Sequence, residues 1–209
     1  MCDTEPEWLA ECEESSMLNQ QLIRRKFQTG TTLLEVMVTI VILAFGLLGL
    51  AGLQMKTRSV ELESYQRSQA MVILNDMVSR FQMSRANAAN YVGGDVVGGG
   101  DVEECSGLAG AAFDLCEWGN MLRGAGESLG GTSVGAMIGA RGCISQIQAP
   151  VTTSGACAPG IYQITVTWQG MFKTAAPSNT CAQDLDIYGG DTLRRAISLQ
   201  VSAGTGGCI

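Results

Sequence analysis

The 209-residue chain carries a formal charge of −7, with 27 glycines, eight cysteines and no histidine. Lack of histidine excludes Ser-His-Asp and Cys-His catalysis and most histidine-bearing metal centres. The acidic balance removes bulk attraction to nucleic acid, and irregularly spaced cysteines read as bridges rather than nucleophiles.

Residues 1–30 hold six acids (Asp3, Glu5, Glu7, Glu11, Glu13 and Glu14), all ahead of Met17, and three bases (Arg24, Arg25 and Lys26), all after it. Basic residues directly before an apolar helix are what the positive-inside rule asks of a cytoplasmic flank; an acidic run ahead of them has no such purpose. Met17 is therefore the expected start of translation, and Cys2 and Cys12 belong to the stretch before it.

Between Thr31 and Leu53 lie 23 residues with one charge, Glu35. As a helix this stretch reaches about 35 Å, enough to cross a bilayer core. A carboxylate costs roughly 2.5–3.5 kcal/mol at the bilayer centre and less toward the surface, so Glu35 calls for a partner. A secretory signal places its small-residue cut after a short apolar core. Here Gly30 precedes a long apolar run, and a cut there leaves the whole helix on the mature chain.

The string RRKFQTG-TTLLEV (residues 24–36) resembles the type IV prepilin leader: a basic stretch ending in Gly, a cut, usually Phe, then Thr-Leu-Leu/Ile-Glu and an apolar helix. Gly30 matches the residue before the cut, and Thr32, Leu33, Leu34 and Glu35 match the family's residues beyond it; Thr31 stands where Phe is usual. The resemblance implies cleavage between Gly30 and Thr31 by prepilin peptidase and N-methylation of Thr31. It also implies that Glu35 neutralises the new N-terminal amine, commonly on a neighbouring subunit. In a low-dielectric core the two charges attract strongly, and each alone is expensive to bury.

The longer string LLEVMVTIVILAFGLLGLAGLQ is similar to minor pilins of the PilV kind, through Glu35-Val36 and Gly46 to Gln54. YQITVTW (162–168) and RRAISLQ (194–200) look similar to that family's C-terminal strands. This implies a minor pilin that assembles or primes a type IV pilus. Its partners would be other minor pilins, the major pilin, prepilin peptidase and an inner-membrane assembly platform, with membrane lipid around the helix before assembly. The C-terminal domain would be periplasmic and then carried on a surface pilus. Neither a catalytic residue nor a cofactor is implied. A minor pseudopilin of type II secretion and a pilus-tip binding or adhesion module are the alternatives. The corresponding domains are a leader, 1–30; an apolar half-helix, 31–53; an amphipathic half-helix, 54–90; and an exported domain, 91–209.

Gly46, Gly49 and Gly52 recur every three residues. Either the membrane helix simply tolerates them, or they mark a region that packs closely or unwinds when helices bundle. Beyond Lys56 the chain is polar with an apolar rhythm, Ala70, Leu74, Met77 or Val78, and Phe81. With no proline between Gly30 and Pro150, one continuous helix is predicted from about Thr31 to about Ala88. Residues 93–110 read as a Gly-rich loop. Ala111, Leu115, Trp118 and Leu122 predict a short helix, and GESLGGTSVGAMIGARG (126–142) reads as loop again. Two alternating segments predict half-buried antiparallel strands: Tyr162, Ile164, Val166 and Trp168 share one face of the first, and Ile197, Leu199 and Val201 one face of the second. The expected fold is α+β, a long N-terminal helix packed on a small antiparallel sheet with disulfide-tied Gly-rich loops.

Cys105, Cys116, Cys143, Cys157, Cys181 and Cys208 lie in the exported part and read as three disulfides. Nearest-neighbour pairing (105–116, 143–157, 181–208) is the first expectation. Two acidic clusters, Asp184, Asp186 and Asp191, and Asp95, Asp101, Glu103 and Glu104, have oxygen ligands of the kind calcium prefers. Neither matches an EF-hand loop, and solvated loops are the favoured reading. GGDVVGGG (93–100) lacks the Lys-Ser/Thr of a phosphate loop.

Overall fold

The computed structural model describes residues 32–94, 96–124, 128–129, 132–133, 135, 137–153 and 156–203. The chain divides into two compact units, Met1–Gln54 and Met55–Ile209.

Helix α1 runs from Leu33 to Met83, 51 residues. In the first unit its side chains are exposed on every side, as an all-round apolar sequence without a stripe dictates. In the second unit a stripe appears: Gln66, Ala70, Ile73, Leu74, Met77 and Phe81 are buried at three- and four-residue steps. The predicted continuation to Ala88 is corrected. After Met83 the chain tightens into a 3-10 helix, Arg85–Tyr91, with Asn87 out of helical geometry at φ −111°. The tighter winding turns Ala88 and Tyr91 into the core. There Tyr91 meets Phe81 edge-on, ring centroids 5.3 Å apart, and its hydroxyl donates to Asp114 at 2.5 Å.

Helix α2 spans Ala111–Leu122 and buries Cys116, Trp118, Gly119 and Leu122. Trp118 is fully buried, and its indole N–H donates to the Ile73 carbonyl of α1 at 3.1 Å. Such an amphipathic ring suits a helix–helix contact because its one donor finds an acceptor.

Short strands β1 (Ser128–Leu129) and β2 (Thr132–Ser133) pair antiparallel. The main sheet uses β3 (Ile138–Gln148), β6 (Gly160–Gln169) and β7 (Arg194–Ala203), in the order β3-β6-β7, all antiparallel. Between β3 and β6, β4 (Val151–Thr153) and β5 (Ala156–Ala158) form a hairpin. The α+β expectation holds: the long helix packs on a small antiparallel sheet.

Strand β3 is a correction, since its first residues fall in the stretch read as loop. Two glycines disguised it. Gly139 has φ +62° where the register with β6 shifts between Ile138 and Arg141. Gly142 sits under the Trp118 ring, and a Cβ there would lie 2.3 Å from the ring's Cη2. A strand with such a neighbour needs glycine although glycine weakens strand propensity.

Tyr162, Ile164, Val166 and Trp168 of β6 are all buried, as their alternation predicts. The opposite face was expected to be wetter, yet Thr165 and Thr167 are buried too. Segment 170–193 supplies Cys181, Ala182 and Tyr188 to a second small core, and the Tyr188 and Thr167 hydroxyls lie 2.9 Å apart. A fully buried Arg194 organises that segment: it donates to the carbonyls of Pro177, Asn179 and Cys181 and to the Asn179 side chain, and pairs with Asp191 at 2.5 Å.

Candidate functional site: the start of the apolar helix

Gly30 and Thr31, the expected cleavage and methylation positions, lie outside the described residues. From Thr32 onward the helix start is visible. Thr32 accepts the Glu35 amide through its carbonyl at 2.9 Å and its hydroxyl at 3.4 Å. Its carbonyl also accepts the Val36 amide, at 3.3 Å. Thr32-Leu33-Leu34-Glu35 therefore has the sequence of a capping box, the hydroxyl of the first residue satisfying an amide that the helix leaves open. The Thr-x-x-Glu spacing announces that cap in the sequence, where reading for charge and hydropathy alone misses it. Glu35 also stands in the first turn, where the aligned peptide dipoles favour negative charge.

On either side of Glu35, as far as Arg58, every described side chain of the helix is exposed. Leu33, Leu34, Phe45 and Leu48 are all more than 70% exposed. The helix contains an 18-residue window of mean hydropathy 2.6, none of it buried, and is long and apolar enough to cross a membrane. So large an uncovered surface marks a lipid or protein contact. At Gly46, Gly49 and Gly52 a Cβ would have no neighbour within 4 Å. Nothing among the described residues therefore requires glycine at these positions.

The other candidate residues sit elsewhere. Cys105 and Cys116 are bonded, tying the Gly-rich loop to α2. Cys143 is bonded to Cys181, which excludes the expected 143–157 and 181–208 pairs. The reason is topological: the sheet's far face needs a cover, and the bond fastens segment 170–193 to β3. Cys157 is also disulfide-bonded; Cys208 lies outside the described residues.

Three members of the acidic clusters are engaged internally, Glu104 by accepting the Ser106 amide at 3.1 Å. Asp191 pairs with Arg194, and Glu103 pairs with Arg123 at 2.6 Å. Asp95 lies outside the described residues. No group of three or more potential metal ligands occurs among the described residues.

Residues 25–51 match the family model of the prokaryotic N-terminal methylation motif. No curated protein and no solved structure matches the chain. The motif supports a type IV pilin-like protein with a leader of the kind prepilin peptidase processes, and with its apolar helix it suggests membrane anchoring.

Proposed function

We propose that the protein is a minor pilin of a type IV pilus, cut after Gly30 and carried into the filament by the apolar part of α1. The observation that carries the reading is the coincidence of two features at one place. The methylation motif covers 25–51, and the helix that begins within it carries an 18-residue apolar window of which nothing is buried. A helix exposed in this way is stable in lipid, and later among the helices of a filament core.

In this reading the cut frees an amine four positions before Glu35. The carboxylate of Glu35 accepts that cation, in its own subunit or a neighbour's, and so lets both enter an apolar core. The second unit, an α+β domain braced by disulfides, would then face the periplasm and later the filament surface. Other minor pilins and the major pilin would be its neighbours.

N-terminal sequencing of the protein recovered from sheared surface filaments tests this. A start at Thr31, methylated or free, is the expected result. A start upstream of Gly30, or recovery from membranes alone, overturns it in favour of a plain anchor.

A further inference from the structure

Within the second unit, α1 and the beginning of β7 enclose a groove of about 400 Å³. Val60, Glu63 and Arg67 line it from the helix, at positions i, i+3 and i+7 of one face, and Arg195, Ala196 and Ile197 line it from the strand. Successive side chains of a strand point to opposite faces. Arg195 and Ile197 therefore share one face with Trp168, which stands opposite Arg195 on β6, and Ala196 between them brings the groove to the backbone of β7, the strand at the sheet's edge. That edge is open: β7 pairs with β6, and no other strand among the described residues pairs with it. Its outward N–H and C=O groups are a template for an added strand.

The charges beside this edge are unequally spent. Arg195 is paired with Glu63 at 2.5 Å and also donates to Phe172 O, Thr174 Oγ1 and Thr192 O. Exposed Arg67 makes no hydrogen bond or ion pair among the described residues. The groove is thus left with one uncompensated positive charge. Trp168 shares its wall, 2% exposed, with a buried indole N–H that has no acceptor among the described residues. A polar hydrogen buried without a partner is uncommon in a folded protein.

We propose that this groove receives an extended, acid-bearing peptide segment of an adjoining subunit. The segment pairs its main chain with the free edge of β7 and sets a carboxylate against Arg67. A lipid phosphate or a small free carboxylate satisfies the cation but leaves the strand edge unpaired, so a peptide answers more of what the groove offers. This inference rests on the reading of the chain as a filament subunit, which supplies the neighbour.

The test uses the full chain in living cells, with the photo-crosslinker p-benzoylphenylalanine incorporated at Val60, and with Val72, exposed on α1 and absent from the groove's lining, as the control site. The expected result is an adduct at Val60 to another pilin subunit, with Asp or Glu in the cross-linked peptide. Its yield falls about tenfold or more in Arg67→Glu and returns in Arg67→Lys, while any adduct at Val72 is unmoved by either change. A Val60 adduct indifferent to the charge at position 67, an adduct to lipid, or no adduct at Val60 overturns the proposal. The two readings fail separately: absence of the chain from sheared filaments sinks the filament assignment, whereas the adduct is scored in whichever fraction holds the chain. There its dependence on Arg67 decides the groove.

Discussion

Gly142→Ala probes whether the packing of α2 on β3 requires a bare backbone. The added methyl would sit 2.3 Å and 2.4 Å from two carbons of the Trp118 ring and 2.9 Å from Leu122 Cδ1. The ring cannot simply swing away, because Trp118 is fully buried and its N–H is held by the Ile73 carbonyl. Overpacking of this kind costs about 1–3 kcal/mol. Displacing the indole from its acceptor adds about 0.5–1.5 kcal/mol, and alanine's smaller entropy loss in a strand returns about 0.5–1 kcal/mol. The net expectation is a loss of roughly 1–3 kcal/mol, a fall in Tm of about 3–10 °C for a domain of this size. The assay is thermal unfolding of the full chain in detergent, followed by near-UV circular dichroism. Gly94→Ala, with no atom within 4 Å of the new methyl, serves as the control and should stay within about 0.5 kcal/mol. If Gly142→Ala unfolds with the wild type and an unchanged aromatic spectrum, the jammed-ring argument is wrong.

Four further outcomes are expected. Glu35→Ala should leave cleavage after Gly30 intact, as judged by mass spectrometry, while lowering the chain in sheared filaments by about tenfold, equivalent to about 1.4 kcal/mol; normal incorporation counts against its role. Removing the Cys143–Cys181 bond, sequence separation 38, should cost about 4 kcal/mol against about 3 for Cys105–Cys116, separation 11, and denaturant midpoints of the two double-serine variants should rank accordingly. Burial raises the hydroxyl pKa of Tyr91, with the bond to Asp114 adding to it, and burial likewise raises that of Tyr188. Because the fold favours the neutral phenols, their stabilisation is complete below about pH 10 and is lost as pH climbs through the raised folded values; phenylalanine at both positions should flatten that alkaline loss in pH-dependent melts. Arg194→Lys replaces a buried fork by a point donor and should cost about 2–3 kcal/mol, a discounted figure because Asp191 is partly exposed and can rehydrate; hydrogen exchange should quicken across 177–193 first.

Much of this protein is local in origin. The apolar run from Thr31, the basic residues before it and the Thr-Leu-Leu-Glu turn declare a membrane-competent helix through composition and short-range hydrogen bonding. The alternation of Tyr162, Ile164, Val166 and Trp168 declares a strand because burying one face needs nothing but period two. What tertiary structure decided is longer in range. Strand β3 is hidden because Gly139 and Gly142 answer to a bulge and to an indole ring from another element. The helix turns tight after Met83 because Ala88 and Tyr91 must reach the core. Thr165 and Thr167, polar by pattern, are buried because a segment more than ten residues further along folds over them, held by Arg194 and by a disulfide whose partners chain proximity misassigned. A nearest-neighbour guess weighs only the length of chain between cysteines, whereas the fold lays the segment that bears Cys181 against β3 beside Cys143, and contacts of that kind exist only once the chain has folded.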